Sequence, residues 1–152
     1  METRRVATRG IIFKDGKLLC QQLKAYRRDE VPFWCTPGGG LDIGESLHEG
    51  LHREMIEETG IAPKIGRLLF VQQFSEDGQK EQMEFFFHIE NPEDYHTIDL
   101  SSTTHGVAEI EHVEFIDPRS ETILPAFLQN IDIQSHIEAP QPILIHNEMS
   151  KL

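Results

Sequence analysis

"GGLDIGESLHEGLHREMIEETGI", residues 39–61, crowds Glu54, Glu57 and Glu58 beside Arg53 in its second half. Ser46 and Glu49 supply the S-x-x-E pattern of a capping box, and Gly60 with Pro63 supplies a stop. A helix is therefore predicted from Ser46 to Glu58. Leu47, Leu51 and Met55 recur at four-residue intervals and project within a narrow arc, which should face the core. Glu54 and Glu58 fall at the edge of that arc, where burial would raise their pKa values unless cations hold them ionised. As an i,i+4 like-charge pair they also destabilise the helix by about 0.2–0.5 kcal/mol, so some other interaction must favour their placement. Gly50 costs about 1 kcal/mol relative to alanine in an exposed helix interior, which suggests close packing there.

Working outward, "RGIIF" (9–13) and "KLLCQQL" (17–23) are β-rich runs separated by Lys14-Asp15-Gly16, whose Asp-Gly is a hairpin signal. "VPFWCTPGGG" (31–40) is expected to be a strand that ends in an unusual turn at its proline and three glycines, where backbone can approach a ligand closely. Beyond the helix, "IGRLLFVQQF" (65–74) and "QKEQMEFFFHIE" (79–90) should pair across "SEDGQ". Residues 91–106 are expected to make a polar loop of a length that usually means function or mobility. "AEIEHVEFID" (108–117) is predicted as a strand, and "ILPAFLQNI" (123–131) as a short helix with Pro125 in its first turn. Residues 1–137 are expected to form one domain. Residues 138–152, with two prolines and the apolar "PILI", would be an extended tail laid on the domain or on a dimer partner. Strands on both sides of one strong helix indicate a mixed α/β domain.

A chain of 152 residues fits one domain with a sizeable core. Its 14 Lys and Arg against 26 Asp and Glu give a formal net charge of −12, the wrong sign for gripping a long nucleic acid through many phosphates. A small phosphorylated ligand stays compatible with that charge, because bound divalent cations invert the local field. Cys20 and Cys35 lack CxxC spacing and are expected to be packed, reduced thiols. No stretch resembles a signal segment or approaches a transmembrane length, so a soluble cytoplasmic protein with no membrane partner is expected.

The residues Gly39, Glu45, Arg53-Glu54-Met55, Glu57-Glu58 and Gly60-Ile61 match every fixed position of the G-x5-E-x7-R-E-U-x-E-E-x-G-U signature, and the chain thereby resembles the Nudix hydrolase family. The approach "FWCTPGGG" is also similar to the W-x-x-P-G-G-G entry often seen before that box. The resemblance implies an α/β/α sandwich with a mixed sheet, and a hydrolase that splits the pyrophosphate linkage of a nucleoside diphosphate joined to another moiety. Nucleoside triphosphates, ADP-ribose and other nucleotide sugars, and dinucleotides are the substrate candidates. It implies Mg²⁺, or Mn²⁺ in its place, held by Glu54, Glu57, Glu58 and the backbone carbonyl of Gly38. It further implies that Arg53, held by Glu45, orients the glutamates. Mg²⁺ favours oxygen donors and is commonly shared between a few carboxylates and substrate phosphates, so carboxylates at i, i+3 and i+4 of one helix suit it.

Outside the box, Glu109 is the acidic residue expected to bind metal, act as base or touch the nucleobase, with Glu111 and Glu114 as competitors. Arg27 and Arg28 could reach substrate phosphates, Trp34 could flank the site, and His105 could move a proton. Loop 91–107 and the first hairpin are expected to set specificity. A non-catalytic nucleotide sensor of the same fold and an RNA decapping enzyme are the alternative functions, and a homodimer is the possible assembly.

Overall fold

The computed structural model of the chain describes residues 3–23, 32–76, 78–103, 106, 110–139 and 141–149. The first strand, β1 (Thr3–Ile11), starts six residues before "RGIIF". Phe13–Lys14 (β2) and Lys17–Leu23 (β3) form the expected hairpin, and Asp15 and Gly16 both take positive φ (52° and 79°), as a tight primed turn demands. The stretch before the helix divides into β4 (Trp34–Cys35) and β5 (Gly38–Gly40).

Here the structure corrects the sequence reading, because the three glycines are not a terminal turn. They are an edge strand paired antiparallel with β1, Arg9 facing Gly38 and Ala7 facing Gly40. Gly38 sits at φ 133°, and a Cβ there would collide with the carbonyl oxygen of Thr8. Only glycine lets this strand lie so close to its neighbour.

Helix α1 (Leu47–Thr59) follows. The Ser46 side chain accepts from the Glu49 N–H at its start, and Gly60 closes it in a left-handed conformation (φ 76°), donating to Ile56 O. Leu51 and Met55 are fully buried, and a Cβ on Gly50 would run into the Leu41 side chain, the close packing the sequence hinted at.

The long strands β6 (Ile65–Glu76) and β7 (Lys80–Ile89) pair antiparallel. In the loop that follows, Tyr95 is buried and donates its hydroxyl to Ile61 O at 3.1 Å. Strand β8 (Ile110–Ile116) lies antiparallel to β3. The predicted helix at 123–131 is instead a two-residue strand, β9 (Ile123–Leu124), a 3-10 turn (Ala126–Gln129) and then helix α2 (Ile133–Glu138). Pro125 adopts extended backbone (ψ 145°) and disfavours helix in the residue before it, so the helical segment starts later, at the Asp132 cap. The tail forms β10 (Leu144–Glu148), parallel to β6 from Leu144 opposite Phe70 to Glu148 opposite Phe74.

One mixed sheet thus runs β10-β6-β7-β1-β5, and a second is built on β3 with β2, β4, β8 and, through β4, β9. Successive residues serve opposite faces. Leu18, Cys20 and Phe86 enter a core closed by Phe127 and Ile133, whereas Leu19 and Phe87 enter a second core under Leu51 and Met55 of α1. Burial on both faces explains why "KLLC" and "FFF" are unbroken apolar runs. The result is the expected sandwich of sheet between helical layers. Among the described residues no helix is long and apolar enough to cross a membrane.

Leu51→Ala should lower unfolding free energy by about 2–5 kcal/mol, because a fully buried site collapses only partly. Ser46→Ala should cost about 1 kcal/mol through loss of the cap. Urea unfolding of both variants checks the two values and their order.

Candidate active site

Three residues of α1, Arg53, Glu54 and Glu58, meet the glycine strand. Arg53 is the hub of this contact, and its planar fork grips Glu45 through Nε–Oε2 at 2.7 Å and Nη2–Oε1 at 2.9 Å. Its Nη1 donates to both Glu54 and Glu57 at 3.1 Å, and Nη2 also donates to Gly40 O at 3.1 Å. Bidentate, charge-assisted bonds of this kind fix geometry as well as charge. Hydrogen bonds from Arg53, and then from the Asp42 N–H, hold the Glu45 carboxyl down at about 2.

Glu54 is half-buried, and its carboxylate lies over Gly39, where an added Cβ would sit 2.6 Å from Cδ. Burial pushes its carboxyl up. Glu58 is 6% exposed, accepting from the Gly38 N–H at 2.9 Å and from Gln21 Nε2 at 3.3 Å, and burial pushes it up to about 7. The Gly38 carbonyl accepts from Arg9 Nη1 at 3.1 Å and keeps a second lone pair.

These donors suit a hard divalent cation, because the glutamates and the Gly38 carbonyl offer oxygen alone. Among the described residues no three such side chains stand close enough to bind one as placed, since Glu54 and Glu57 are both turned onto Arg53.

Behind the glycine strand lies a network that the sequence reading missed. Arg9 donates to Glu84 at 2.7 Å and to Thr36 O at 3.2 Å, and Gln72 Nε2 donates to the other Glu84 oxygen at 3.3 Å. These side chains floor a cavity of about 410 Å³ whose walls include Phe33, Cys35, Phe74 and Leu124. The overlooked signal was the alternation in "QMEFF", which puts Gln82, Glu84 and Phe86 on one face of β7. Burial pushes the Cys35 thiol in this wall up to about 11, far from a reactive thiolate.

The other expected residues fare differently. Trp34 is packed in the core with Leu18 and Phe86, while its neighbours Phe33 and Cys35 line the cavity. Glu111 and Glu114 are exposed on β8. Arg27, Arg28, His105 and Glu109 lie outside the described residues. The described part of loop 91–107 lines no part of the cavity, whereas Leu23, at the end of the first hairpin, does.

A sequence model of the NUDIX domain matches residues 3–131. The chain belongs to the NUDIX family. It is 42% identical over 69 residues to an ADP-ribose pyrophosphatase of Methanocaldococcus jannaschii, a match covering 43% of this chain and 38% of that protein. It is 46% identical over 50 residues to a putative 8-oxo-dGTP diphosphatase of Bacillus subtilis, covering 30% of this chain and 34% of that protein. An RNA pyrophosphohydrolase of Shewanella frigidimarina is 39% identical over 57 residues, covering 36% and 33%. The chain therefore spans little more than a third of these relatives' length. Among solved structures, the E. coli ORF135 protein superposes with a TM-score of 0.68 at 21% identity, covering 93% of this NUDIX chain and 96% of the other. A UDP-X diphosphatase gives 0.65 at 18%, covering 95% and 68%. At these identities the structural matches establish the fold.

In an NMR acid titration the Glu45 carboxyl should show a midpoint near 2, and Arg53→Ala should return it toward the ordinary value of 4.5. The folded value is depressed, so the contact stabilises the fold above the ordinary carboxylate value, and that contribution disappears as pH falls toward 2.

Proposed function

We propose that this NUDIX chain is a divalent-cation-dependent hydrolase of the pyrophosphate linkage in a nucleoside diphosphate joined to another moiety. The observation that carries the reading is the placement of Glu54, Glu57 and Glu58 on one side of α1, the first two bonded to the Glu45-held Arg53 and the third to the Gly38 N–H of the glycine strand. Glu54, Glu57, Glu58 and the Gly38 carbonyl would hold Mg²⁺, or Mn²⁺ in its place. Such an ion neutralises phosphate charge and makes bound water more acidic.

The protein's own contribution is orientation. Arg53 keeps Glu54 and Glu57 from swinging into solvent and offsets part of their repulsion. Glu58 is buried against the strand backbone and ties the last turn of α1 to Gly38. Arg9 bonds the Gly38 carbonyl and also lines the cavity, so the carboxylate cluster and a nucleoside-sized pocket share one wall.

The matched relatives are named for ADP-ribose, 8-oxo-dGTP and RNA, substrates that each contain a nucleotide unit. For this chain, small nucleotides are the favoured class, since a net charge of −12 opposes many contacts with a long RNA. A sensor that binds without turnover would be expected to lack one or more acidic positions of the box, and Glu45, Glu54, Glu57 and Glu58 are all present. The unpaired thiols of Cys20 and Cys35 suit a reducing cytoplasm.

A panel of nucleoside triphosphates, nucleotide sugars and dinucleotides with Mg²⁺ or Mn²⁺, read by product mass and repeated in ¹⁸O-labelled water, should reveal a hydrolysed anhydride and the phosphorus attacked. Glu57→Gln should reduce turnover by about 10²-fold or more with an unchanged unfolding midpoint. Arg53→Lys should also lower turnover, because a point charge cannot reproduce the fork to Glu45. Tight nucleotide binding without any phosphate product, or full activity in Glu57→Gln, would refute the hydrolase reading.

A further inference from the structure

Strand pairing lines up four residues across one face of the first sheet. Glu148 of β10 stands opposite Phe74 of β6, Phe74 opposite Gln82 of β7, and Gln82 opposite Arg5 of β1. All four line the cavity of about 410 Å³. The row therefore has an anion at one end and a cation at the other, and the glycine strand β5 adjoins the cationic end. Glu148 has a partner, since its Oε1 lies 3.0 Å from His146 Nε2. The neighbours of Arg5 on β1 are also engaged, Arg4 with Glu81 and Arg9 with Glu84. Among the described residues Arg5 itself makes no hydrogen bond or ion pair. Its guanidinium is nevertheless well placed, lying across the α-carbon of Gly40, where an added Cβ would sit 3.0 Å from Nε and 3.2 Å from Nη2. Gly40 is the residue whose carbonyl oxygen accepts from Arg53, the hub of the carboxylate cluster. Arg5 thus leans away from β10 and joins the cavity wall to the strand that Arg53 grips.

We infer that Arg5 binds a phosphate of the nucleotide where the ligand leaves the cavity and crosses Gly40 toward Glu54, Glu57 and Glu58. The inference rests on the nucleotide-hydrolase reading for the identity of the ligand. A guanidinium presents its N–H donors in a planar fork that matches phosphate oxygens. In a chain of formal net charge −12, an uncommitted guanidinium bordering a cavity reverses the field locally and favours an anion there. Glu148, at the far end of the row, disfavours phosphate by like charge. The row therefore orients the ligand, with its nucleoside toward β10 and its phosphates toward β5. Arg9 and Arg53 are committed to carboxylates and backbone carbonyls, so they hold the site together while Arg5 turns to the ligand.

The test uses Arg5→Leu, which keeps apolar bulk and removes the charge, and Arg5→Lys, which keeps the charge and removes the fork. ATP, CTP and ADP-ribose are the probes, measured with Mg²⁺ for kcat and KM and, with Ca²⁺ and short incubation, for Kd by calorimetry. For the probe that binds best, Arg5→Leu should weaken Kd and raise KM by about tenfold or more, and Arg5→Lys should recover part of that loss. The difference between the native chain and Arg5→Leu should shrink as salt is raised, because the contact is partly open to solvent. Unfolding midpoints should stay unchanged in both variants, since Arg5 is exposed and bonded to no described residue. Hydrolysis with Kd and KM unaltered in Arg5→Leu, or altered equally in both variants, overturns the inference and leaves the hydrolase reading standing. Nucleotide binding that weakens in Arg5→Leu and recovers in Arg5→Lys, in a chain that shows no turnover, supports the inference and removes the hydrolase reading. No binding of any of the three probes overturns the inference.

Discussion

Arg53 spends every nitrogen of its guanidinium on the site, and the placement of the acidic cluster depends on that commitment. Two of its nitrogens are fixed by Glu45, a residue from the loop before the helix, so the guanidinium is anchored outside α1 and reaches back across it. The third is shared by Glu54 and Glu57. Carboxylates that would repel one another at i and i+3 are thus held by a common cation on a rigid mount. Because the mount includes Gly40 O, the helix is also locked to the edge strand at its side.

That edge strand is the second constraint. A sheet edge made of three glycines offers little packing and would ordinarily weaken a fold. Here its lack of side chains is what allows the Glu54 carboxylate to lie directly over Gly39 and the Glu58 carboxylate to accept from Gly38. The helix therefore approaches backbone rather than side chains. The cost in strand stability is offset by the bonds that Glu58, Arg53 and Arg9 make to this backbone.

Most of the geometry on the carboxylate side of the candidate site was legible in the sequence. Fixed spacing on one helix converts directly into geometry, and the cap, the apolar arc and the stop all pointed to the same helix. The glycine strand was misread as a turn because local punctuation outweighed a pairing partner more than twenty residues upstream. The 123–131 segment was misread because Pro125 is as compatible with extended backbone before a helix as with a first turn. The cavity was invisible for a different reason. Arg9, Gln72, Gln82 and Glu84 come from three strands, and nothing in the chain order announces that β1 and β7 pair in parallel. Only the alternation within β7 carried a trace of it.

That alternation has a consequence for how the protein must assemble. On β7, Phe86 belongs to one core while Glu84 and Gln82 line the cavity, and Phe85 and Phe87, on alternate positions, serve the other face. A slip of one residue against β1 would carry a carboxylate and an amide under the apolar side of α1 and push aromatic rings into the cavity. Nine matched positions between β1 and β7, from Thr3 opposite Lys80 to Ile11 opposite His88, stand against that error. Correct threading of one strand and the polarity of the cavity floor are thus a single event, and a misaligned chain would lose its core and its cavity together.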